Sequence, residues 1–155
     1  MFWGSFFGNQ KGPYLFWEKE WGTMTAERFC ERIVPLLSTF KREYPYIVIM
    51  QDGAPCHIAS RTKRALNEMG IIPIDWPPYS PDLNPTKSVW NSMKDHMQKN
   101  YLELNSAQRP TNSRLREIVE TSWHSVSTEL LSTLVGSLRS RCRAVIDANG
   151  GHTHY

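Results

Sequence analysis

The sequence predicts an α/β fold, and three observations predict it. Two aromatic runs flank a Gly/Asn turn near the N-terminus, a stretch of helical periodicity follows, and Tyr46-Ile47-Val48-Ile49-Met50 forms a nearly continuous apolar run. Strand signals thus alternate with helix signals, which is the pattern of a sheet covered by helices.

Taken in order, Phe2 to Phe7 and Pro13 to Trp17 read as two strands of a β-hairpin around Gly8-Asn9-Gln10-Lys11-Gly12. Thr25 can cap a helix from Ala26 to about Lys41, on which Phe29, Ile33, Leu36, Leu37 and Phe40 fall at helical spacing. Pro35 is expected to bend or split that helix. The run 46–50 is expected to be a strand covered on both faces, ending at Gln51-Asp52-Gly53. A helix over about Ala59 to Met69, closed by Gly70, leads to a short strand from Ile71 to Asp75. The proline-rich Trp76-Pro77-Pro78-Tyr79-Ser80-Pro81 is a loop, and a helix runs from about Thr86 to Lys99. A loop over Tyr101 to Pro110 precedes two helices, about Asn112 to Ser125 and Ser127 to Ala144. Residues 145–155 are expected to form a polar, flexible tail on a single domain spanning 1–155.

Composition narrows the function classes. A chain of 155 residues, 40% hydrophobic and 21% charged, suits one compact domain with a real core. The net charge of +3 permits a polyanionic partner without arguing for one. Cys30, Cys56 and Cys142 are odd in number and contain no CxxC pair, which argues against a disulfide framework or a zinc knuckle and for a reducing compartment. No apolar run reaches membrane-spanning length, and the apolar N-terminus has neither a basic leader nor a small-residue cleavage site. An intracellular protein with no membrane partner is the expectation.

Asp52 follows the C-terminal end of an apolar run, the place where active sites of open α/β sheets collect. A carboxylate there could hold a divalent metal, although an aspartate in Asp-Gly is also an ordinary turn residue. Cys56 and His57 beside it form no zinc pattern and complete no nucleophile system; Cys56 reads as a small buried residue.

The wider segments carry a resemblance. Gln51-Asp52-Gly53-Ala54-Pro55-Cys56-His57 resembles the second-aspartate motif of the mariner superfamily of DDE transposases, and Trp76-Pro77-Pro78-Tyr79-Ser80-Pro81-Asp82-Leu83-Asn84-Pro85 resembles that family's signature loop before its third acidic residue. Trp3-Gly4-Ser5-Phe6, the segment Gly22 to Phe29, and Gly150-Gly151-His152-Thr153-His154-Tyr155 are similar to the family's hairpin, first helix and C-terminal end. The resemblance implies an RNase H-like fold in which three carboxylates hold two ions, Mg2+ or Mn2+, for phosphoryl transfer on DNA. It implies Asp52 as the remaining metal ligand, His57 as a residue that orders the loop beside it, and Asp82 as a structural aspartate that shapes its turn and caps the next helix. A eukaryotic member would work in the nucleus.

The chain departs from that pattern twice. The third carboxylate of the family would follow Asp52 after 34 intervening residues, where this chain has Lys87. A lysine presents a cation where a cation ligand is required, would repel the metal, and could pair with Asp52 instead. The family's first aspartate lies on a central strand before the hairpin; with Met1 at the hairpin, the chain reads as truncated, with that strand missing. Asp75, Asp82, Glu68 and Asp95 are poor substitutes. Sequence therefore predicts a catalytically inactive, transposase-derived domain with at most weak metal binding. Arg61, Lys63, Arg64, Lys94 and Lys99, each readable as an ordinary solvated helix residue, could as a set track phosphates and give weak, non-specific DNA binding. The absent strand would leave strand edges that invite a homodimer. The alternatives are an active metal-dependent nuclease or transposase as part of a longer chain, and a domesticated protein-interaction module.

Overall fold

The computed structural model describes residues 1–106 and 110–155. Two compact units divide the chain: one holds Met1, residues 3–5 and Gly12–Pro81, the other Phe2, residues 6–11 and Asp82–Tyr155. The hairpin that supplies residues to both is the two-stranded sheet β1 (Phe2–Phe7) and β2 (Gln10–Phe16). Its turn is tighter than the five residues the sequence suggests. Gly8, at φ +52°, and Asn9 make the reversal, so the second strand starts at Gln10 rather than Pro13. Ser5 Oγ donates across the hairpin to the Pro13 carbonyl at 2.9 Å.

The first unit continues with α1 (Ala26–Arg32) and α2 (Val34–Glu43). Thr25 caps α1 by accepting from the Arg28 N–H at 3.3 Å. Pro35, in the first turn of α2, lacks the N–H that a continuous helix would use, and the helix expected over 26–41 is split at Ile33. A short turn of helix, α3 (Pro55–Ile58), leads into α4 (Ser60–Glu68). Gly70, at φ +69°, closes α4: its N–H donates to the Asn67 carbonyl and that of Ile71 to the Leu66 carbonyl, both at 2.9 Å. These paired bonds satisfy two end carbonyls, and they bring Ile71 onto Leu66 in the core. Phe29, Ile33, Val34, Leu37, Leu66 and Ile71 form that core, with Trp3, Leu15, Met24, Ile49 and Cys56 packed around it.

Two expected strands are corrected. Residues 46–50 and 71–75 are in neither case ladder strands; they are joined by one backbone bond, the Ile74 N–H to the Ile49 carbonyl at 2.9 Å. Nor are they covered on both faces. Ile49 and Ile71 turn onto the core, whereas Tyr46 is 98% exposed, Val48 67% and Ile72 77%. An apolar run signals burial only when a neighbour covers each face, and here one face lies open.

The second unit contains α5 (Thr86–Asn100), α6 (Asn112–Ser125), α7 (Thr128–Gly136) and α8 (Leu138–Asp147). α5 packs on α6. Thr111 and Ser127 cap α6 and α7 by accepting from the N–H groups of Arg114 (3.2 Å) and Leu130 (3.1 Å). The single helix expected over 127–144 breaks at Ser137, whose hydroxyl donates to the Leu134 carbonyl at 2.7 Å. Leu83, Val89, Met93, Ile118, Trp123, Val126, Leu131 and Leu134 are buried. Phe2, Trp90 and Trp123 meet with ring centroids 5.6–6.1 Å apart. Lys11 reaches past the C-terminal end of α6, donating to the carbonyls of His124 (3.2 Å) and Val126 (2.6 Å); partial burial pushes its pKa down.

The loop expected over 101–110 contains a 3-10 turn at Leu102–Asn105, and residues 107–109 of it lie outside the described residues. After α8 the chain reverses at Asn149 (φ +51°) and Gly150 (φ +79°), and the Thr153 N–H and hydroxyl both reach Asp82. Among the described residues no helix is long and apolar enough to cross a membrane.

Candidate functional site

An open cleft of about 510 Å³ lies in the first unit, between the segment after the 46–50 run, α4, and the 71–75 run. Asp52, His57, Lys63, Arg64, Asp75 and Trp76 are among its lining residues. The cleft thus gathers five of the residues weighed from sequence: Asp52, His57, Lys63 and Arg64, with Asp75, considered there as a substitute acid.

Asp52 stands where the chain leaves the core-facing Ile49 and turns toward α3. Its Oδ1 accepts from the Ala54 N–H at 3.1 Å, which makes the Asp-Gly segment an Asx turn, and it lies 2.8 Å from His57 Nδ1. Against an ionised carboxylate the imidazole nitrogen is the donor, which leaves Nε2 as the free face of the ring. The Asp52 carbonyl also lies 3.2 Å from Nδ1. His57 is held from behind by Phe29, a buried core residue whose ring meets the imidazole edge-on at 4.9 Å. His57 is the side chain that meets the Asp52 carboxylate, at 2.8 Å, and the pair is ionic only when the imidazole is protonated.

Thr62, fully buried on α4, fixes the same loop from below. Its hydroxyl donates to the Cys56 carbonyl at 2.6 Å. Sequence reasoning misses Thr62; a threonine facing inward on an otherwise basic, polar helix is the available signal. Burial and the nearby Asp52 charge push the Cys56 thiol up, so it is no activated nucleophile.

The basic set is divided between the two units. Arg61 pairs with Glu27 of α1 at 3.3 Å, while Lys63 and Arg64 line the cleft. Lys94 is exposed on α5, in the second unit, as is Lys87 in the first turn of the same helix.

Asp82 is also in the second unit, within a 3-10 turn over Pro81–Leu83. Its Oδ2 accepts two hydrogen bonds from Thr153, from the N–H and from the hydroxyl, each 2.9 Å. These bonds, led by the backbone one, hold its carboxyl below the usual carboxylate range, with smaller help from His152 and Lys87. The nearly buried Arg141 donates to the Asp82 carbonyl at 2.8 Å and lies over the Tyr155 ring at 4.4 Å. Asp82 shapes its turn; the N-cap position of α5 is Pro85, without a side-chain cap, and Asn84 Oδ1 accepts from the Thr86 N–H at 3.0 Å. Among the described residues, no group of three His, Cys, Asp or Glu side chains gathers where it could hold a metal ion.

Known proteins share these features of sequence and fold. The family model described as DDE superfamily endonuclease matches residues 6–108, more than half of the chain. The chain is 27% identical, over all of its length, to the Tcb2 transposase of Caenorhabditis briggsae, of which it covers 54%. It is 30% identical to the Tc1 transposase of Caenorhabditis elegans over 70% of this chain and 37% of that protein. The chain spans about half or less of the length of these relatives. In three dimensions it resembles the Mos1 transposase catalytic domain, solved with Raltegravir and Mn, at a TM-score of 0.79 and 17% identity, over 99% of this chain and 76% of that one. That likeness shows the fold, which is RNase H-like, with a two-stranded sheet among the residues described here.

Proposed function

The chain belongs to the DDE superfamily endonucleases, and from that premise we propose that it is a transposase-derived domain that binds DNA weakly and without sequence preference but does not cut it. The observation that carries this reading is the environment of Asp52. Its Oδ1 is met by His57 and Ala54, and although Asp75 lines the same cleft, no group of three His, Cys, Asp or Glu side chains that could hold a metal gathers among the described residues. The two-ion chemistry that the family implies needs several hard anionic ligands. The residues present do not fit such a centre, and Lys87 at the spacing of the third acid adds a cation rather than a ligand.

DNA association is supported by Lys63 and Arg64 on the rim of the cleft, where phosphates could be neutralised. Lys94, exposed on α5, would contribute a further cation. Localisation to the nucleus follows for a eukaryotic source. The exposed apolar side chains of Tyr46, Val48 and Ile72 support a homodimer through the 46–50 edge, which light scattering at micromolar concentration tests; a clean monomer rules it out.

Incubation of the 155-residue chain with Mg2+ or Mn2+ and linear or nicked DNA decides the catalytic point. No cleavage above that of an Asp52→Ala variant is expected. Metal-dependent cutting that disappears in Asp52→Ala overturns the proposal and favours the active-nuclease reading.

A further inference from the structure

α5 is held from one side: Val89 and Met93 are buried, the Trp90 ring meets Trp123 of α6, and His96 Nδ1 lies 3.1 Å from the Ser122 hydroxyl of α6. On the opposite side Lys87, Asn91, Lys94 and Gln98 are all exposed. Their spacing of four, three and four residues places them within about 60° of arc on an α-helix, in a stripe about 16 Å long. The content of that stripe departs from an ordinary solvated face. Elsewhere in the chain exposed cations take acidic partners: Arg61 takes Glu27, Arg114 takes Glu117 and Arg143 takes Asp147. On α5 no acid stands three or four positions from either Lys87 or Lys94, and the places on this face that would support such a pair hold the amides Asn91 and Gln98. Among the described residues none of these four side chains makes a hydrogen bond or an ion pair. Two acids border the stripe: Asp95, exposed on its margin, and Asp82, whose carboxylate Thr153 holds and to whose lowered pKa Lys87 adds a minor share.

We propose that this stripe of α5 lies along the phosphate backbone of duplex DNA, with Lys87 and Lys94 neutralising phosphates and Asn91 and Gln98 donating to phosphate oxygens beside them. The inference rests on the DNA-binding reading above and goes beyond it in the face and the residues it names. Two unpaired cations with no acid in the arc complement a polyanion. An amide between them donates hydrogen bonds without adding charge, whereas a glutamate, the common helix partner of lysine, would repel a phosphate. Contacts of this kind follow the backbone and no base edge, so they carry no sequence preference. The lysine found at the spacing of the family's third acid thereby acquires a role of its own, as a phosphate contact.

Fluorescence anisotropy of the 155-residue chain with two labelled duplexes of unrelated sequence, measured over a range of salt, tests this. Lys87→Gln and Lys94→Gln together should weaken binding of both duplexes equally and lower the salt slope by about 1.8, at roughly 0.9 for each phosphate no longer neutralised. Asn91→Glu separates contact from structure. Glutamate is the better helix former and stands four residues after Lys87 and three before Lys94, so the melting temperature should hold or rise. Binding of both duplexes should nevertheless fall. Asn91→Gln, which keeps the amide, should bind like wild type. An unchanged salt slope in the double lysine variant, or wild-type affinity in Asn91→Glu, overturns the inference; if reversal of Lys63 and Arg64 still weakens binding in the same assay, the DNA-binding reading stands without it. A wild-type chain that binds neither duplex at low salt overturns both.

Discussion

Replacing Thr62 with valine tests whether the loop carrying Asp52 and His57 is fixed from beneath. The two side chains are nearly the same size, and Thr62 is 0% exposed, so the main change is chemical. The Cys56 carbonyl loses the hydroxyl that donates to it at 2.6 Å. A buried acceptor left unpaired costs about 1–3 kcal/mol. Cys56 is only partly buried, which places the cost toward the lower half of that range, and an extra methyl in an apolar site returns up to about 0.8 kcal/mol. The expected net loss is about 1 kcal/mol. At a urea dependence of about 2 kcal/mol/M, that lowers the unfolding midpoint by roughly 0.5 M. The loss should be local in origin, because the hydroxyl ties α4 to α3. The His57 amide, which donates to the Ala54 carbonyl at 2.8 Å, should therefore exchange with deuterium faster in Thr62→Val. Thr62→Ser keeps the donor and gives up a methyl, so it should lose some stability yet keep the protection of the His57 amide. An unchanged midpoint in Thr62→Val, or equal loss of His57 protection in both variants, refutes the reasoning.

Two further outcomes follow from the charges. Asp82 has its pKa depressed in the folded state by Thr153, so its contribution to stability is complete above the unfolded carboxylate range near about pH 4 and is lost as pH falls through the depressed value. Melting curves of wild type and Asp82→Asn should differ at neutral pH and converge in acid; a constant gap across that window argues against the linkage. Reversing Lys63 and Arg64 together should weaken duplex binding about equally for all sequences and reduce the salt slope by roughly 0.9 for each phosphate that is no longer neutralised. A slope that does not change, measured by anisotropy over a range of salt, removes these residues from the interface.

The parts of the fold that are legible in the sequence are those decided by chemistry within a few residues. Thr25 ahead of a helical pattern, Pro35 inside it and Gly70 after the next helix each act on the adjacent backbone, and each does what its chemistry dictates. The 46–50 run misleads because its signal is not local. Five apolar residues in succession state that burial is favourable; they do not state that a neighbour exists on both faces. Ile49 finds the core formed by α1, α2 and α4, and Val48, one residue away, does not. The break between α7 and α8 is legible in principle, since Gly136 is a poor helix residue, but Ser137 completes it through a bond of its hydroxyl that propensity alone does not show.

The same distinction separates the two aspartates. Asp52 and His57 are five residues apart, and the turn that Gly53 and Pro55 impose is enough to bring them to 2.8 Å, so the sequence motif contains most of that geometry. Asp82 lies in an equally recognisable motif, five residues before Lys87, and its residue type permits either a ligand or a structural role. What favours the structural role is Thr153, 71 residues away, whose N–H and hydroxyl both converge on Oδ2. Arg141 and Tyr155 stack beside the same turn and anchor the end of the chain there. Oδ2, which already accepts two hydrogen bonds, has little capacity left for a metal, so coordination would fall to Oδ1. Thr153→Val, which removes the hydroxyl and keeps the N–H, should accordingly raise the Asp82 pKa without creating a metal site, and titration of the variant followed by carboxyl NMR measures that directly. A variant that gained tight Mg2+ binding would show that the tail, rather than the want of further ligands, is what keeps Asp82 out of the chemistry.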